Sequence, residues 1–480
     1  MAALTIGNIL IVLYTILNSY PGQVYHIGFT VCQRIVFGVY GSGLGILIRI
    51  ILSITYFGSQ AWLAGLCVTV MLSSITPNYL NMENTFPESV KMSTRDFVSF
   101  FIVQIISIPF FLIKPEKINI FVNASCVMAL AGMVGMFGYM VKLNGGPGSI
   151  YYEKVTLSNS EFGWMYLMGI NVWYGALSPD ICNQSDFSRF SSSKPKLQWG
   201  IFCGIFFTEI IPLAGLICAS ISTDLYGKQY WLPTDICLQW LNDHYTPRTR
   251  CACFFLGLSF LTSELSLNTL TNGFAGGMDL AGLCPKYINI TRGSIITALL
   301  SWVVQPWLFY NTSSTFLGVM SSFGVVVTPI IAIIVSDFML VRGGKLKLND
   351  LYTTSKDGSF YHTAGVNWRA VFVFFASVVP GLPGMAAYVN PSIKLKTSII
   401  NYFYGSTDRK IAAGIDLYNA FTLDEYKRLN LIPYDGVNPE EVIVLEDFTK
   451  DDTHGGNSTS DSTSGIASSK EKIKSVFNVV

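Results

Sequence analysis

Charged side chains are scarce in this chain of 480 residues. Asp, Glu, Lys and Arg make up 13% of it, whereas 51% of the residues are hydrophobic. A soluble domain carries about 25% charged residues and needs them to cover its surface. The composition therefore excludes a soluble globular protein and predicts one that crosses a lipid bilayer many times. Because the net charge is only +1, no nucleic-acid partner is expected either.

The motifs of metal, redox and ATP-driven proteins are missing as well. The chain has four histidines, none within an apolar run, and its ten cysteines form no CxxC pair. We therefore expect no metal, no cofactor and no catalytic residue, which argues against a membrane enzyme. No GxxxxGK[ST] loop is present, so ATP-driven transport is not supported. A transporter of this kind would use an ion gradient or the gradient of its own solute.

Ten apolar runs are long enough, or nearly so, to cross a bilayer as helices. They cover residues 2–18, 45–72, 97–113, 119–141, 162–183, 199–220, 251–275, 294–310, 315–340 and 370–390. The runs are continuous rather than alternating, which favours helices over strands. The sequence thus predicts an all-α polytopic membrane protein, with a transmembrane domain over 1–393. A polar segment over 394–453 and a disordered Gly/Ser/Thr-rich tail over 454–480 are expected to follow.

The basic residues of the loops predict an orientation. Fourteen Lys and Arg, among them Arg34, Arg49 and Arg189, fall on one side of the ten crossings, and seven fall on the other. The richer side is therefore assigned to the cytoplasm. Ten crossings would then leave both termini outside, including a basic tail, which conflicts with the same rule. We expect that one crossing is missing at each end.

Polar side chains recur at helical spacing inside two of the runs. Glu264, Asn268 and Asn272 follow one another at i, i+4 and i+8, so they share a helix face. They can either hydrogen-bond a polar heterocycle or only join helices. Tyr56 and Gln60 are also one turn apart, with Trp62 nearby. This group can stack a flat ring and bond its edge, or it can simply pack.

The fifth and sixth runs contain prolines and acidic residues. Pro179 and Asp180 follow Trp173 and Tyr174. Proline removes a backbone donor, which predicts a break near mid-depth of the kind that builds binding sites in transporters, or a plain kink. In the sixth run Glu209 is a candidate to relay protons or to pair with a buried group.

A further acidic residue, Asp337, lies near the end of the ninth run. We expect it at the membrane interface.

Several stretches are similar to the nucleobase–cation symporter family. They are YHIGFTVCQRIVFGVYGS (25–42), YFGSQAWLAG (56–65), NQSDFSRF (183–190), MDLAGLCPKYINITRG (278–293) and FYNTSSTFLGVMSSFGVVVTPIIAIIVSDFMLVR (309–342). The resemblance covers residues 1 to about 405. It implies a twelve-helix secondary transporter with two inverted five-helix repeats and a mid-membrane site. The chain begins at the family's second helix, and INYFYG (400–405) resembles the start of the last one. A missing first and last helix is therefore expected.

The resemblance also assigns roles to individual residues. Tyr56 matches the stacking aromatic, often Trp in the family, and Gln60 and Asn272 match the substrate-binding amides, with Asn268 one turn before Asn272. A second stacking aromatic of the family falls at Leu177 here, so Trp173 or Tyr174 would have to replace it. The hydroxyl pair of sodium-coupled relatives falls at Ser266 and Leu267, which favours proton coupling over sodium coupling.

Among the family's branches, the motifs most resemble fungal thiamine and nicotinamide riboside permeases. The resemblance implies import of a small heteroaromatic solute by proton symport across the plasma membrane. Both vitamins carry a cationic ring, which Asp180 or Glu264 could balance. A uracil, uridine or allantoin permease is the alternative within transport. A transport-inactive paralogue that acts as a receptor or partner is the alternative from another class.

Overall fold

The computed structural model describes residues 2–113, 117–154, 156–310, 313–390, 392–405, 410–411 and 414–422. Within these ranges the chain is almost entirely helical, and the only strand-like pairing is an isolated bridge between Thr363 and Val366. The main helices are α1 (Ala2–Tyr25), α2 (Phe29–Phe37), α3 (Ser42–Ile75), α4 (Thr94–Phe110), α5 (Asn119–Asn144), α6 (Asn159–Cys182), α7 (Lys194–Thr208), α8 (Ile210–Tyr226), α9 (Pro233–Asp243), α10 (Pro247–Leu267), α11 (Ala275–Leu283), α12 (Ile290–Leu300), α13 (Ser313–Val335), α14 (Trp368–Val378), α15 (Leu382–Val389) and α16 (Thr397–Tyr404). The all-α prediction is confirmed.

All ten predicted runs coincide with helices. In the described ranges, seven helices or helix pairs are long and apolar enough to cross a membrane: α1, α3, α5, α7–α8, α10–α11, α13 and α14–α15. The other three predicted runs correspond to α4, α6 and α12. Of these, α4 has 17 residues and α12 belongs to a shorter apolar stretch, Ile290–Val304.

Sequence signals at the helix ends explain where the spans begin and stop. Ser158 precedes α6 and forms a reciprocal capping box with Glu161, and Ser93 caps α4 by accepting from the Asp96 amide. Gly145 and Gly227 end α5 and α8 in the left-handed conformation, which glycine adopts without steric cost. The spans are therefore delimited by local chemistry as well as by hydrophobicity.

Glycines let the helices that surround the centre of the molecule approach closely. A Cβ atom on Gly175 of α6 would lie 2.7 Å from the Met320 carbonyl of α13, and one on Gly65 of α3 would lie 2.9 Å from the Phe100 backbone of α4. Contacts this short exclude any larger side chain. As in other membrane bundles, small residues provide tight packing where lipid supplies no hydrophobic drive for helix association.

The structure changes the expectation of a helix break at Pro179. Helix α6 is continuous through Pro179, which lies in its last turn rather than at a mid-membrane interruption. The break falls instead at Glu209, where α7 ends and α8 begins, three residues before Pro212. A proline has no backbone N–H to donate to the carbonyl four residues before it, and its ring clashes with that carbonyl, so it opens the preceding turn.

Two charged residues are deeper than expected. Asp337 is fully buried rather than interfacial, and its Oδ2 accepts from Arg342 Nε at 2.7 Å. Arg49, which was counted among the loop cations, lies inside α3 and is 2% exposed. A buried charge needs a partner, and Arg342 supplies one for Asp337.

The polar C-terminal segment is described only in part. Within it, Tyr418 donates a hydrogen bond to Asp337 Oδ1 at 2.6 Å, and Lys410 donates to the Val325 carbonyl at 3.3 Å. This stretch therefore packs along α13. The predicted disordered tail over 454–480 lies outside the described residues.

Candidate functional site

A π-helical turn, Asn268–Phe274, separates α10 from α11 and carries the two predicted amides. Asn272 Nδ2 donates to Asn268 Oδ1 at 3.0 Å, and Asn268 Nδ2 donates to the Phe57 carbonyl of α3 at 3.1 Å. Both side chains are buried. Single π-turns inside membrane-spanning helices are common at functional sites, because the widened turn presents polar groups that a regular helix would hide.

Tyr56 lies on α3 next to this turn. Its hydroxyl donates to the Ala176 carbonyl of α6 at 2.9 Å, and its ring centroid lies 4.7 Å from that of Phe323 on α13. The ring of Tyr56 is thus held between α6 and α13. Four helices, α3, α6, α10 and α13, meet at this point.

Gln60 and Glu264 are half-buried on α3 and α10. Neither side chain has a hydrogen bond to another residue in the described part of the chain. A half-buried amide and a half-buried carboxyl group therefore retain free hydrogen-bonding capacity near Tyr56 and the asparagine pair.

Phe323, rather than Trp173 or Tyr174, is the aromatic partner of Tyr56. Trp173 Nε1 donates to Asn8 Oδ1 at 2.6 Å, and the Tyr174 ring lies edge-on to Tyr14, with centroids 6.2 Å apart. Both of these partners belong to α1. The sequence pattern missed Phe323 because a single phenylalanine in an apolar run carries no signal of its own.

Beneath Tyr56 a buried arginine joins three of the helices. Arg49 Nη1 donates to Ser53 on its own helix, and Nη2 donates to the Thr271 carbonyl of the π-turn at 3.4 Å. With the Asn183 amide oriented as its hydrogen bonds require, the Asn183 oxygen accepts from Arg49 at 2.6 Å. Asp180 at the end of α6 is half-buried and interacts electrostatically with Arg49. The predicted Asp180 thus already faces a cation of the protein.

The other two candidates for ion coupling are held by different partners. Glu209, which is 5% exposed, accepts hydrogen bonds from Thr5 at 2.5 Å and from Asn8 at 3.0 Å. Ser266 is fully buried on α10, and its hydroxyl lies 2.6 Å from that of Ser125 on α5. The structure does not bring the three ion-coupling candidates, Glu209, Ser266 and Glu264, into one cluster of mutual hydrogen bonds within the described ranges.

Trp62 lies away from Tyr56, in an aromatic cluster on the side that the loop charges assign to the exterior. Its ring centroid is 5.7 Å from that of Phe100 and 6.2 Å from that of Trp307. It also lines a cavity of about 370 Å³ that opens on this side. Trp62 therefore lines this cavity, which we call the outer cavity after the predicted orientation. It does not belong to the central group of Tyr56, Gln60, Asn268 and Asn272, which we call the Tyr56 group.

Together, the buried amides, the Tyr56–Phe323 ring pair and the widened helix turn describe a transporter bundle with a polar centre. A family described as permeases for cytosine/purines, uracil, thiamine and allantoin matches residues 1–405. The chain belongs to this permease family. Its members are membrane transporters rather than enzymes, and the chain is a multi-pass membrane protein.

Individual relatives agree with this assignment. The chain is 40% identical to the thiamine transporter of Saccharomyces cerevisiae over 91% of its own length and 77% of that protein. It is 37% identical to nicotinamide riboside transporter 1 of the same yeast, over 99% of the chain and 83% of that protein. The fold is similar to the inward-facing conformation of Mhp1, with a TM-score of 0.66 and 18% identity over 92% of the chain and 87% of Mhp1. This likeness shows the inverted-repeat secondary transporter fold that the sequence predicted.

Proposed function

We propose that this permease imports a cationic heteroaromatic vitamin, thiamine or nicotinamide riboside, across the plasma membrane by proton symport. The similarity to transporters of both compounds supports the substrate class. The single observation that carries the proposal is the Asn268–Asn272 pair on the π-turn beside Tyr56. Two amides can bond the polar edge of a heterocycle while an electron-rich ring contacts its positive face.

In this proposal the substrate ring contacts Tyr56, and Gln60 and Asn272 bond its edge. Gln60 has unused donors and acceptors for this purpose, whereas Asn268 orients Asn272 by accepting from its amide. Glu264 supplies the negative charge that balances the ring, since Asp180 already interacts with Arg49. A cation entering a low-dielectric site requires such a counter-charge.

Glu209 is the proposed proton-carrying group, whereas Glu264 is linked to coupling through its charge, as the carboxylate that balances the cation. Glu209 bridges the α7–α8 break to α1 through Thr5 and Asn8, so its protonation would weaken an interhelical contact. Ser266 is already paired with Ser125, and its neighbour Leu267 has no hydroxyl group for a second ligand, which is why we propose protons rather than sodium. Alternating access would follow from the movement of one helix bundle against the other.

Uptake of radiolabelled thiamine and nicotinamide riboside by cells that lack their own carriers tests the proposal. We expect saturable uptake that is abolished by a protonophore and unaffected by replacing sodium with choline. Competition by uracil, uridine and allantoin separates the proposal from a permease of neutral substrates, which needs no buried counter-charge. Uptake inhibited only by these neutral compounds, or no uptake at all by a correctly inserted protein, would overturn it.

A further inference from the structure

We propose that the outer cavity is a second, weaker binding site, which captures the cationic ring of the substrate before it reaches the central site. The inference rests on the proposed function, because it assigns a charge preference to the same transport route. It concerns different residues, however, and none of them belongs to the Tyr56 group.

The size and position of the outer cavity suit a binding site that precedes the central one. Its volume of about 370 Å³ suits a small aromatic ligand, and its walls come from α3, α4, α9 and the segments that precede α4 and α13. Trp62 follows Tyr56 by six residues on α3. At 1.5 Å per residue, the two lie about 9 Å apart along the helix axis.

The charge of the lining favours cations. Glu88, Asp96 and Asp235 contribute carboxyl groups to the cavity, against one ammonium group from Lys91. Asp96 already accepts hydrogen bonds from Ser93 and Thr69 and forms an ion pair with Arg95.

Asp235 is the more deeply buried of the two carboxyl groups that remain available, since Glu88 is exposed. It is half-buried in the first turn of α9, and no other described residue donates a side-chain or backbone hydrogen bond to it. Its electrostatic partners are Lys228, Asp96 and Arg95. A carboxylate in this position attracts a positively charged ring into the cavity.

Trp62 provides the second, independent observation that points to a ligand. It is 5% exposed, it lines the cavity, and its indole N–H has no hydrogen-bond partner within the described ranges. A side chain that is this deeply buried and still has a free donor can bond a ligand that enters the cavity. The Trp62 and Trp307 rings offer aromatic faces for a cation, and the free N–H offers a donor to an acceptor of the same ligand.

Asp235→Asn in the full-length chain tests the proposal, with Asp235→Glu as the conservative variant. Asp243→Asn is the matched control, because it removes the same charge from the same helix at an exposed position outside the cavity. Initial rates of nicotinamide riboside uptake are measured in proteoliposomes over a range of substrate concentrations. We expect Asp235→Asn to raise KM about five- to tenfold with unchanged kcat, as expected for loss of one attracting charge. Asp235→Glu and Asp243→Asn should keep the wild-type KM.

Two further measurements keep the outcome decisive. In the Asn272→Ala background, weak binding of labelled nicotinamide riboside should persist and should disappear when Asp235→Asn or Trp62→Phe is added. If Asp235→Asn fails to insert, Glu88→Gln and the salt dependence of the wild-type KM measure the same electrostatic attraction of the cation by the cavity. Equal KM values for all variants, or a KM that is independent of salt, would overturn the outer site while leaving the central site intact. Absence of uptake by the wild-type protein would instead contradict the proposed function itself.

Discussion

Asn272 donates a hydrogen bond to Asn268 across 3.0 Å on a π-helical turn, and Asn268 in turn donates to the backbone of α3. This chain of bonds fixes the Asn272 amide relative to the helix that carries Tyr56. The Asn272 side chain is therefore already oriented before it bonds a substrate, which lowers the entropic cost of binding.

Asn272→Ala is expected to reduce uptake of the vitamin by about 10- to 100-fold, because a hydrogen bond to a polar substrate is lost and its partner is left unpaired. Thr271→Ala is the control, since the Thr271 hydroxyl donates to the Leu267 carbonyl of its own helix and, among the described residues, to no other group. Surface expression of both variants is measured beside uptake. Wild-type uptake by Asn272→Ala would contradict the central site.

Substitutions of Tyr56 should separate its ring from its hydroxyl group. Tyr56→Phe keeps the aromatic face but leaves the Ala176 carbonyl without its donor. We expect a loss of affinity of a few-fold for Tyr56→Phe and a further loss of about two- to thirtyfold for Tyr56→Ala, because cation–π contact contributes about 0.5–2 kcal/mol. Transport constants for thiamine measure both effects. Equal constants for the Phe and Ala variants would show that the ring makes no contact with the substrate.

Gly175→Ala tests the close approach of α6 and α13. The new Cβ would lie 2.7 Å from the Met320 carbonyl, so the helices must separate, at a cost of about 1–3 kcal/mol. Gly163→Ala on the same helix is the control, because no atom lies within 4 Å of its Cβ position. Thermal unfolding in detergent should show a lower midpoint for Gly175→Ala only. If both variants have the same unfolding midpoint, the close approach of α6 to α13 does not contribute to stability.

The buried pair between Asp337 and Arg342 should tolerate joint but not single replacement. Asp337→Asn removes the negative charge that faces Arg342 at 2.7 Å, and breaking a buried pair in this way costs about 3–5 kcal/mol. Asp337→Asn combined with Arg342→Met should recover a substantial part of that loss. Folded yield and thermal stability of the single and double variants check this. A double variant less stable than the sum of the single ones would contradict the pairing.

Capture of the cation should depend on pH through Asp235. Burial raises the pKa of this carboxyl group to about 6, and Asp96 acts in the same direction, whereas Lys228 and Arg95 oppose it. Above pH 6 the group is charged and attracts the ring, and below pH 6 it becomes neutral. Equilibrium binding without a proton gradient should therefore weaken between pH 7 and pH 5 in the wild type.

The same titration in Asp235→Asn isolates this group from the other charges that line the cavity, Glu88, Asp96 and Lys91, and from its neighbours Lys228 and Arg95. Its binding should be weak at both pH values and nearly constant between them. A pH dependence that is unchanged in Asp235→Asn would assign the titration to another residue.

The spacing of polar residues anticipated part of the candidate site. Asn268 and Asn272 were expected on one face, and the structure brings their amides into contact. The π-turn itself was not expected, because i, i+4 spacing is compatible with either kind of turn. Phe323 and Arg49 were also missed as neighbours of Tyr56. Phe323 lies in a different apolar run, and nothing in a local pattern reports which distant helix face it will meet. Arg49 lies on the same helix as Tyr56, seven residues before it, and was missed because it was counted among the loop cations.

The sequence by itself determined that this protein is a many-helix membrane protein, because continuous apolar runs can satisfy their backbone hydrogen bonds in lipid only as helices. It also determined where most of those helices lie. The tertiary structure decided which side chains share a site: it set Tyr56 against Phe323, enclosed Arg49 and Asp337, and moved Trp62 to the outer cavity. The physical reason is that hydrophobicity and backbone pairing act locally, whereas interhelical contacts depend on which small residues allow two helices to approach.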